Sequence, residues 1–229
     1  MGRMFIGHYG VAFAAKQLAP RTSLAVLFAA SLLSDLIWPV LVLCGVESVR
    51  IDPGNTAMTP LDFERYPWSH SAAMTVLFSV VFALLFLART SDQRAALVVG
   101  LLVASHWVLD FVSHRPDLPL WPGGPRVGLG LWNSVAATVL LEGTLFAAGV
   151  LLYLLATRPR DRTGRWLTVS LVAVLAVLYG ANAGGGAPPP SAAAVAWVDL
   201  ALAAILLPWA ALADRHRAPI LPAALAGRS

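Results

Sequence analysis

The sequence predicts an all-α, polytopic membrane protein, a single integral domain over residues 1–229 with six long spans and a short N-terminal helix that can also cross. Three observations carry this. Hydrophobic residues make up 58% of the chain and charged ones only 12%, where soluble domains carry roughly 25%. Several apolar runs approach or exceed the ~20 residues that cross a bilayer. The basic residues, all Arg except Lys16, gather at the ends of those runs, which suits membrane orientation and does not argue for nucleic acid.

The segments follow in order. Residues 5–19 form a short apolar stretch ended by Pro20-Arg21; at ~1.5 Å per residue it reaches ~22 Å, a thin crossing. Arg3 could open a signal-peptide n-region, but His8, Tyr9 and Lys16 interrupt the apolar run, so the N-terminus is expected to stay on. Leu24 to Cys44 is a full span carrying Asp35. The lone Cys44 excludes an intrachain disulfide and reads as a packing residue. Gly45 to Trp68 is a polar loop in which Asp52-Pro53-Gly54-Asn55 marks a turn. The next span opens at Ser69-His70-Ser71 and runs to Ala88. Arg89 to Arg94 turns tightly into Ala95 to His114. A Pro/Gly-rich loop, Arg115 to Gly130, precedes Leu131 to Thr157, which carries Glu142. Arg158 to Arg165 is the most basic loop and Trp166 to Ala181 a shorter span. Gly184 to Pro190 is a flexible-then-stiff connector. Ser191 to Ala213 is the last span, with Asp199, and leads into a basic tail.

Charge sets the expected orientation. With residues 5–19 crossing, the inside holds Lys16, Arg21, Arg89, Arg94, the four Arg of 158–165, Arg215, Arg217 and Arg228. The outside holds Arg3, Arg50, Arg65, Arg115 and Arg126. The C-terminus is then cytoplasmic. Without that crossing Arg3 moves inside and the bias persists, so charge does not decide how the N-terminus lies.

Ionisable side chains within spans are costly and therefore functional candidates. His106, Asp110 and His114 are spaced i, i+4, i+8, each turned ~40° from the last, so they line one helical face. Two imidazoles and a carboxylate make half a metal site; the plainer reading is a His–Asp hydrogen bond between helices. Counted inward from each span's outer end at ~1.5 Å per residue, Asp35 lies ~14 Å deep, His106 and Asp199 ~12 Å, Glu142 ~15 Å and Asp110 ~6 Å. His70 and His114 sit at the rim. Residues from four helices thus share the outer half of the bilayer, as a water-filled pocket open to the outside would arrange them, and His8 joins them if its segment crosses. Ser69 reads equally as a helix cap. Asp35 reads either as a site residue or as a polar contact between helices. Glu142 is a candidate acid/base or a protonated structural acid. Asp199 reads as a packing residue, and Trp107, Trp121 and Trp132 as an interfacial aromatic belt. His216 is expected to be solvated.

His8 near the N-terminus, Ser34-Asp35-Leu36-Ile37-Trp38-Pro39, Ser69-His70-Ser71 opening a helix, and His106-x-x-x-Asp110 closing one resemble the bacterial inner-membrane metal-dependent hydrolase family, also labelled LexA-binding, membrane-bound hydrolase-like. The resemblance covers roughly residues 4–120, and its specificity lies in the order of short motifs. The family shows Pro-Asp-x-Asp where this chain has Ser34-Asp35-Leu36-Ile37, so Ile37 stands in place of a second acid. Arg65-Tyr66-Pro67 stand where the family often has His-Arg-Gly. The resemblance implies a membrane-embedded hydrolase in the bacterial plasma membrane. His8, Asp35, His70, His106 and Asp110 would hold a divalent metal, zinc first and manganese or iron next, with Glu142 or His114 as general base or acid. An outward pocket at that depth suits a lipid-like or amphiphilic substrate with a phosphate or ester group. Two other functions fit the composition. One is a proton- or cation-coupled transporter using the same polar layer, although no internal repeat suggests inverted halves. The other is a non-catalytic adaptor docking through its Arg-rich loop.

Overall fold

The structure, a computed structural model, describes residues 6–220; Arg3 and Arg228 of the charge tally lie outside the described residues. The chain is nearly all-α, with three short two-stranded ladders among the described residues. The first described helix, α1 (Ile6–Ala14), has nine residues, about 13 Å of length, and is too short to cross a bilayer alone. The span expected from Leu24 to Cys44 is two helices, α2 (Leu24–Ser31) and α3 (Leu33–Leu43), bent by 58° at Leu32. Five further helices are each long and apolar enough to span: α5 (Ala72–Thr90), α6 (Gln93–Ser113), α7 (Val135–Ala156), α8 (Arg162–Ala183) and α9 (Ala192–Arg215). α8 is longer than its sequence suggests, because Asp161 caps it by accepting from Gly164 N at 2.7 Å and brings Arg162 and Arg165 onto the helix.

Two loops acquire structure. Residues 45–68 fold as a hairpin, β1 (Ser48–Ile51) with β2 (Leu61–Arg65), followed by the helical turn α4 (Pro67–His70). The Asp52–Asn55 turn follows β1, with Gly54 at φ 95°. Residues 115–130 hold β3 (Leu118–Pro119) paired with β4 (Arg126–Val127). Both ladders sit at one end of the bundle. The third, β5 (Thr157–Pro159) with β6 (Arg217–Pro219), ties the basic loop to the chain beyond α9 at the opposite end.

The central helix is α6. Half of its most apolar window is buried, against 6% for α5, whose outward side chains are left for lipid. α1 is buried too, and it packs on α7 backbone to backbone. A Cβ on Gly10 would stand 2.6 Å from the Leu145 carbonyl oxygen, and one on Gly149 would run into the Gly10 backbone. Only glycine permits that approach. Below it Phe13 packs edge-on against Phe28 and Phe146, with centroids at 5.0 and 6.0 Å, and lies 5.2 Å from Tyr153. Buried Lys16 then bonds Asp214 at 2.6 Å and the Thr22 carbonyl at 2.7 Å. Cys44 caps α3 and is exposed, not packed in a helix as expected.

Candidate metal centre

The bend at Leu32 positions the first ligand candidate. Ser31 ends α2, and its carbonyl accepts from His106 Nδ1 at 2.8 Å. With Nδ1 carrying the proton, the neutral ring of His106 presents Nε2 as a lone pair. A second imidazole is held likewise. Glu47 accepts from Trp68 N at 2.8 Å, Ser69 N at 2.9 Å and Ser69 Oγ at 2.6 Å. The Ser69 hydroxyl proton is therefore committed to Glu47, and its oxygen accepts from His70 Nδ1 at 2.7 Å. In the neutral ring, Nε2 of His70 is thereby the lone-pair nitrogen, and it is turned inward. Ser69 is thus not a cap. That part belongs to Ser71, whose side chain accepts from Met74 N at the start of α5.

The inward atoms converge. His106 Nε2 lies 3.2 Å from Asp110 Oδ2 and 3.7 Å from Asp35 Oδ1. His70 Nε2 lies 3.4 Å from Asp35 Oδ1 and 3.9 Å from Asp110 Oδ2. His8 Nε2 lies 3.6 Å from Asp110 Oδ1, and its ring is 4.0 Å from that of His106. Ligand atoms of His8, His106 and Asp110 all fall within 4.8 Å of one another, as do those of Asp35, His70 and His106. Two ligands each ~2.0–2.2 Å from one ion at near-tetrahedral angles stand about 3–3.5 Å apart, close to these separations. His106 Nε2 and Asp110 Oδ2 are buried, face each other at 3.2 Å and have no other hydrogen-bond partner among the described residues. With the proton of a neutral ring on Nδ1, this contact sets a lone pair against a carboxylate oxygen, and a cation between them removes the cost. Neutral imidazoles with carboxylates suit a borderline divalent ion.

The site opens into a cavity of about 100 Å³. Asp35, His70, Asp110, His114 and Asp199 supply its polar wall, and Leu61 and Phe63 of β2 roof it. The side chain of Asp35 is 44% exposed where those of His70, His106 and Asp110 are 6% or less, so Asp35 marks the mouth. Asp199 lies on this wall, not in a packing seam alone, because α9 packs along α3. Ile37 is not among the lining residues.

His114 does not continue the stripe of His106 and Asp110. It caps α6 in extended conformation, which turns its ring onto Trp132, 4.4 Å away. Its Nδ1 bonds Asp117 Oδ1 at 3.0 Å, and Tyr66 donates to the same oxygen at 3.0 Å. Arg115 Nε donates to Asp117 Oδ2 at 3.0 Å. Burial raises the Asp117 carboxyl, but the bonds from His114, Tyr66 and Arg115 outweigh it and hold the group below the usual carboxylate range. Ionised Asp117 holds a proton on His114 Nδ1, so in the neutral ring the lone pair lies on Nε2. Glu142 is buried beside Trp132, Tyr179 and the Ile6 backbone, and it is not among the cavity-lining residues. Trp132 is 9% exposed and lines the cavity, unlike a belt residue, while Trp121 is 51% exposed. His216 pairs with Asp161 at 2.8 Å. Nothing in the sequence singles out Glu47, and Asp117, legible there as a membrane-boundary residue beside His114 and Arg115, gives no sign of its bond from Tyr66, since isolated polar residues in a loop carry no spacing that ties them to a helix. Comparison with family models, curated proteins and solved structures finds no match to this chain.

Proposed function

We propose that the chain is a membrane-embedded, metal-dependent hydrolase of the bacterial plasma membrane, with its pocket on the extracytoplasmic side. The observation that carries this is the pair of buried atoms at the centre, His106 Nε2 and Asp110 Oδ2, with no hydrogen-bond partner but each other, surrounded by three further candidate ligands. His8, Asp35, His70, His106 and Asp110 would hold one first-row divalent ion, zinc by the donor set, with manganese and iron as alternatives. Such an ion supplies Lewis-acid polarisation of a scissile bond and acidifies water.

The chain's own residues do the rest. The Ser31 carbonyl and the Glu47–Ser69 pair hold two imidazoles in the ligating tautomer. His114 accepts a proton at Nε2, and Asp117 stabilises the imidazolium formed. Glu142, off the cavity wall, is assigned no step. The cavity, about 100 Å³, admits an ester or phosphate group and little more. The apolar part of a substrate would leave it past Leu36, Leu202 and Ala203 of its lining, which suits a lipid-like amphiphile. The aromatic packing around Phe13 and the Lys16–Asp214 pair close the bundle beyond the site, which argues against a continuous ion path.

Metal analysis of the purified protein tests the reading. One ion per chain is expected, lost in His106→Ala and Asp110→Ala together with hydrolysis of phosphate- or ester-bearing amphiphiles. Absence of stoichiometric transition metal in the parent protein would overturn it.

A further inference from the structure

A second cavity, of about 340 Å³, lies between two segments at the hairpin end. Arg65, Tyr66 and Pro67 form one wall; Gly123, Gly124 and Arg126 form the other. We propose that this groove is a binding site for a phosphate group, presented by a lipid headgroup or as free phosphate.

Charge bookkeeping sets these two arginines apart. Arg50 faces Asp62 at 2.6 Å, Glu64 at 3.4 Å and Asp52 at 3.7 Å. Arg115 pairs with Asp62 and Asp117. Arg65 and Arg126 have no carboxylate within ion-pair distance among the described residues, and no acid lines the groove. Each gives one hydrogen bond to a backbone carbonyl, Arg65 to Gly45 at 3.3 Å and Arg126 to Glu64 at 2.6 Å. Glu64, the acid nearest in sequence, is drawn to Arg50. A guanidinium has five N–H donors, so both side chains keep most of theirs for a ligand. Two guanidiniums on the walls of one groove match a tetrahedral oxyanion better than a carboxylate or an amine.

The opposite wall lets an anion approach the backbone. Gly123 adopts φ 78°, and Gly124 lies beneath the Trp121 indole, where a Cβ would stand 2.6 Å from Nε1. The turn therefore presents no side chain to the groove. Trp68 and Trp121, 47% and 51% exposed, flank it as aromatics do at headgroup depth. Tyr66 joins this groove to the first cavity. It lines the one and stacks on His114 of the other, with centroids 5.8 Å apart. A phosphate held here sits one aromatic layer from the candidate metal centre, yet the site stands on its own residues whatever that centre binds.

The test is native mass spectrometry of the full chain in detergent, titrated with dioctanoyl phosphatidylglycerol, dioctanoylglycerol and inorganic phosphate. A saturable 1:1 phosphatidylglycerol adduct is expected, with none for dioctanoylglycerol. Affinity should fall about tenfold or more in Arg65→Gln/Arg126→Gln, fall by less in Arg65→Lys/Arg126→Lys, which keeps the charge but not the donor fork, and not change in Arg89→Gln at the other end. Displacement of the lipid by inorganic phosphate identifies the phosphate alone as the ligand; adduct formation without displacement identifies the headgroup. Retained metal content and thermal unfolding show that the variants fold, and loss with the single variants Arg65→Gln or Arg126→Gln covers a double variant that does not. No saturable adduct with either phosphate probe, or equal binding by the folded glutamine variants, overturns the proposal.

Discussion

A single proton decides which way His70 can act. Glu47 takes the Ser69 hydroxyl proton, Ser69 oxygen takes that of His70 Nδ1, and Nε2 is left to ligate. Glu47→Gln preserves size and can still accept from the Trp68 and Ser69 amides. Its amide would donate to Ser69 Oγ, however, which then donates to His70 Nδ1 and shifts the proton to Nε2. Metal affinity should fall about 10–100-fold with the fold intact, read by metal titration alongside the ¹⁵N shifts of the imidazoles; unchanged affinity would remove Glu47 from the site. The carboxylate that holds His114 responds to pH. Asp117 has a folded value below its unfolded one of about 4, so it stabilises the protein above that pH, and the contribution is lost as pH falls through the lowered folded value. Asp117→Asn should cost about 1–3 kcal/mol near neutrality, and its melting-temperature deficit should shrink below about pH 4. A deficit independent of pH would show that the carboxylate's charge is idle. The His106-x-x-x-Asp110 spacing was legible because helix geometry relates those positions directly. Glu47, Ser69 and Asp117 support the histidines across chain folds that no local period encodes.

Two departures from regular helices build the site. The break at Leu32 turns the Ser31 carbonyl out of its own helix toward His106, and it brings Asp35 into the first turn of α3 beside His70. The sequence reads as one continuous span there, because Ser and Leu tolerate a helix and no Pro or Gly marks the bend. The second departure is the close pairing of α1 with α7. Gly10 is two residues from His8, so whatever separates the helices moves a ligand. Gly10→Ala forces a Cβ onto the α7 backbone. It should cost about 2–4 kcal/mol and weaken metal binding in the same variant. Gly143→Ala meets nothing within 4 Å and should be neutral or stabilising by up to about 1 kcal/mol. Thermal unfolding and metal titration of the pair check this, and equal effects would mean that the interface is not tight.

At the scale of the molecule, the proposed orientation can be read with the one cysteine the chain owns. Cys44 is exposed at the hairpin end, at the close of α3. A membrane-impermeant maleimide should label it in spheroplasts without permeabilisation, and labelling only after permeabilisation would invert the topology. The sequence by itself determined the class of the molecule. Apolar runs of bilayer length force helices, since no other single-segment structure satisfies its backbone in lipid, and the depth of the ionisable residues pointed to one end of the bundle. Only the tertiary structure decided which of them meet. It brought His8, Asp35, His70, His106 and Asp110 together, turned His114 toward Asp117, set Glu142 off the cavity wall and laid Asp199 on it. Depth along a helix is a one-dimensional count that sequence contains. The rotation of each helix, the bend at Leu32 and the hairpin roof follow from packing among distant segments, and packing is settled only when all of them are in place.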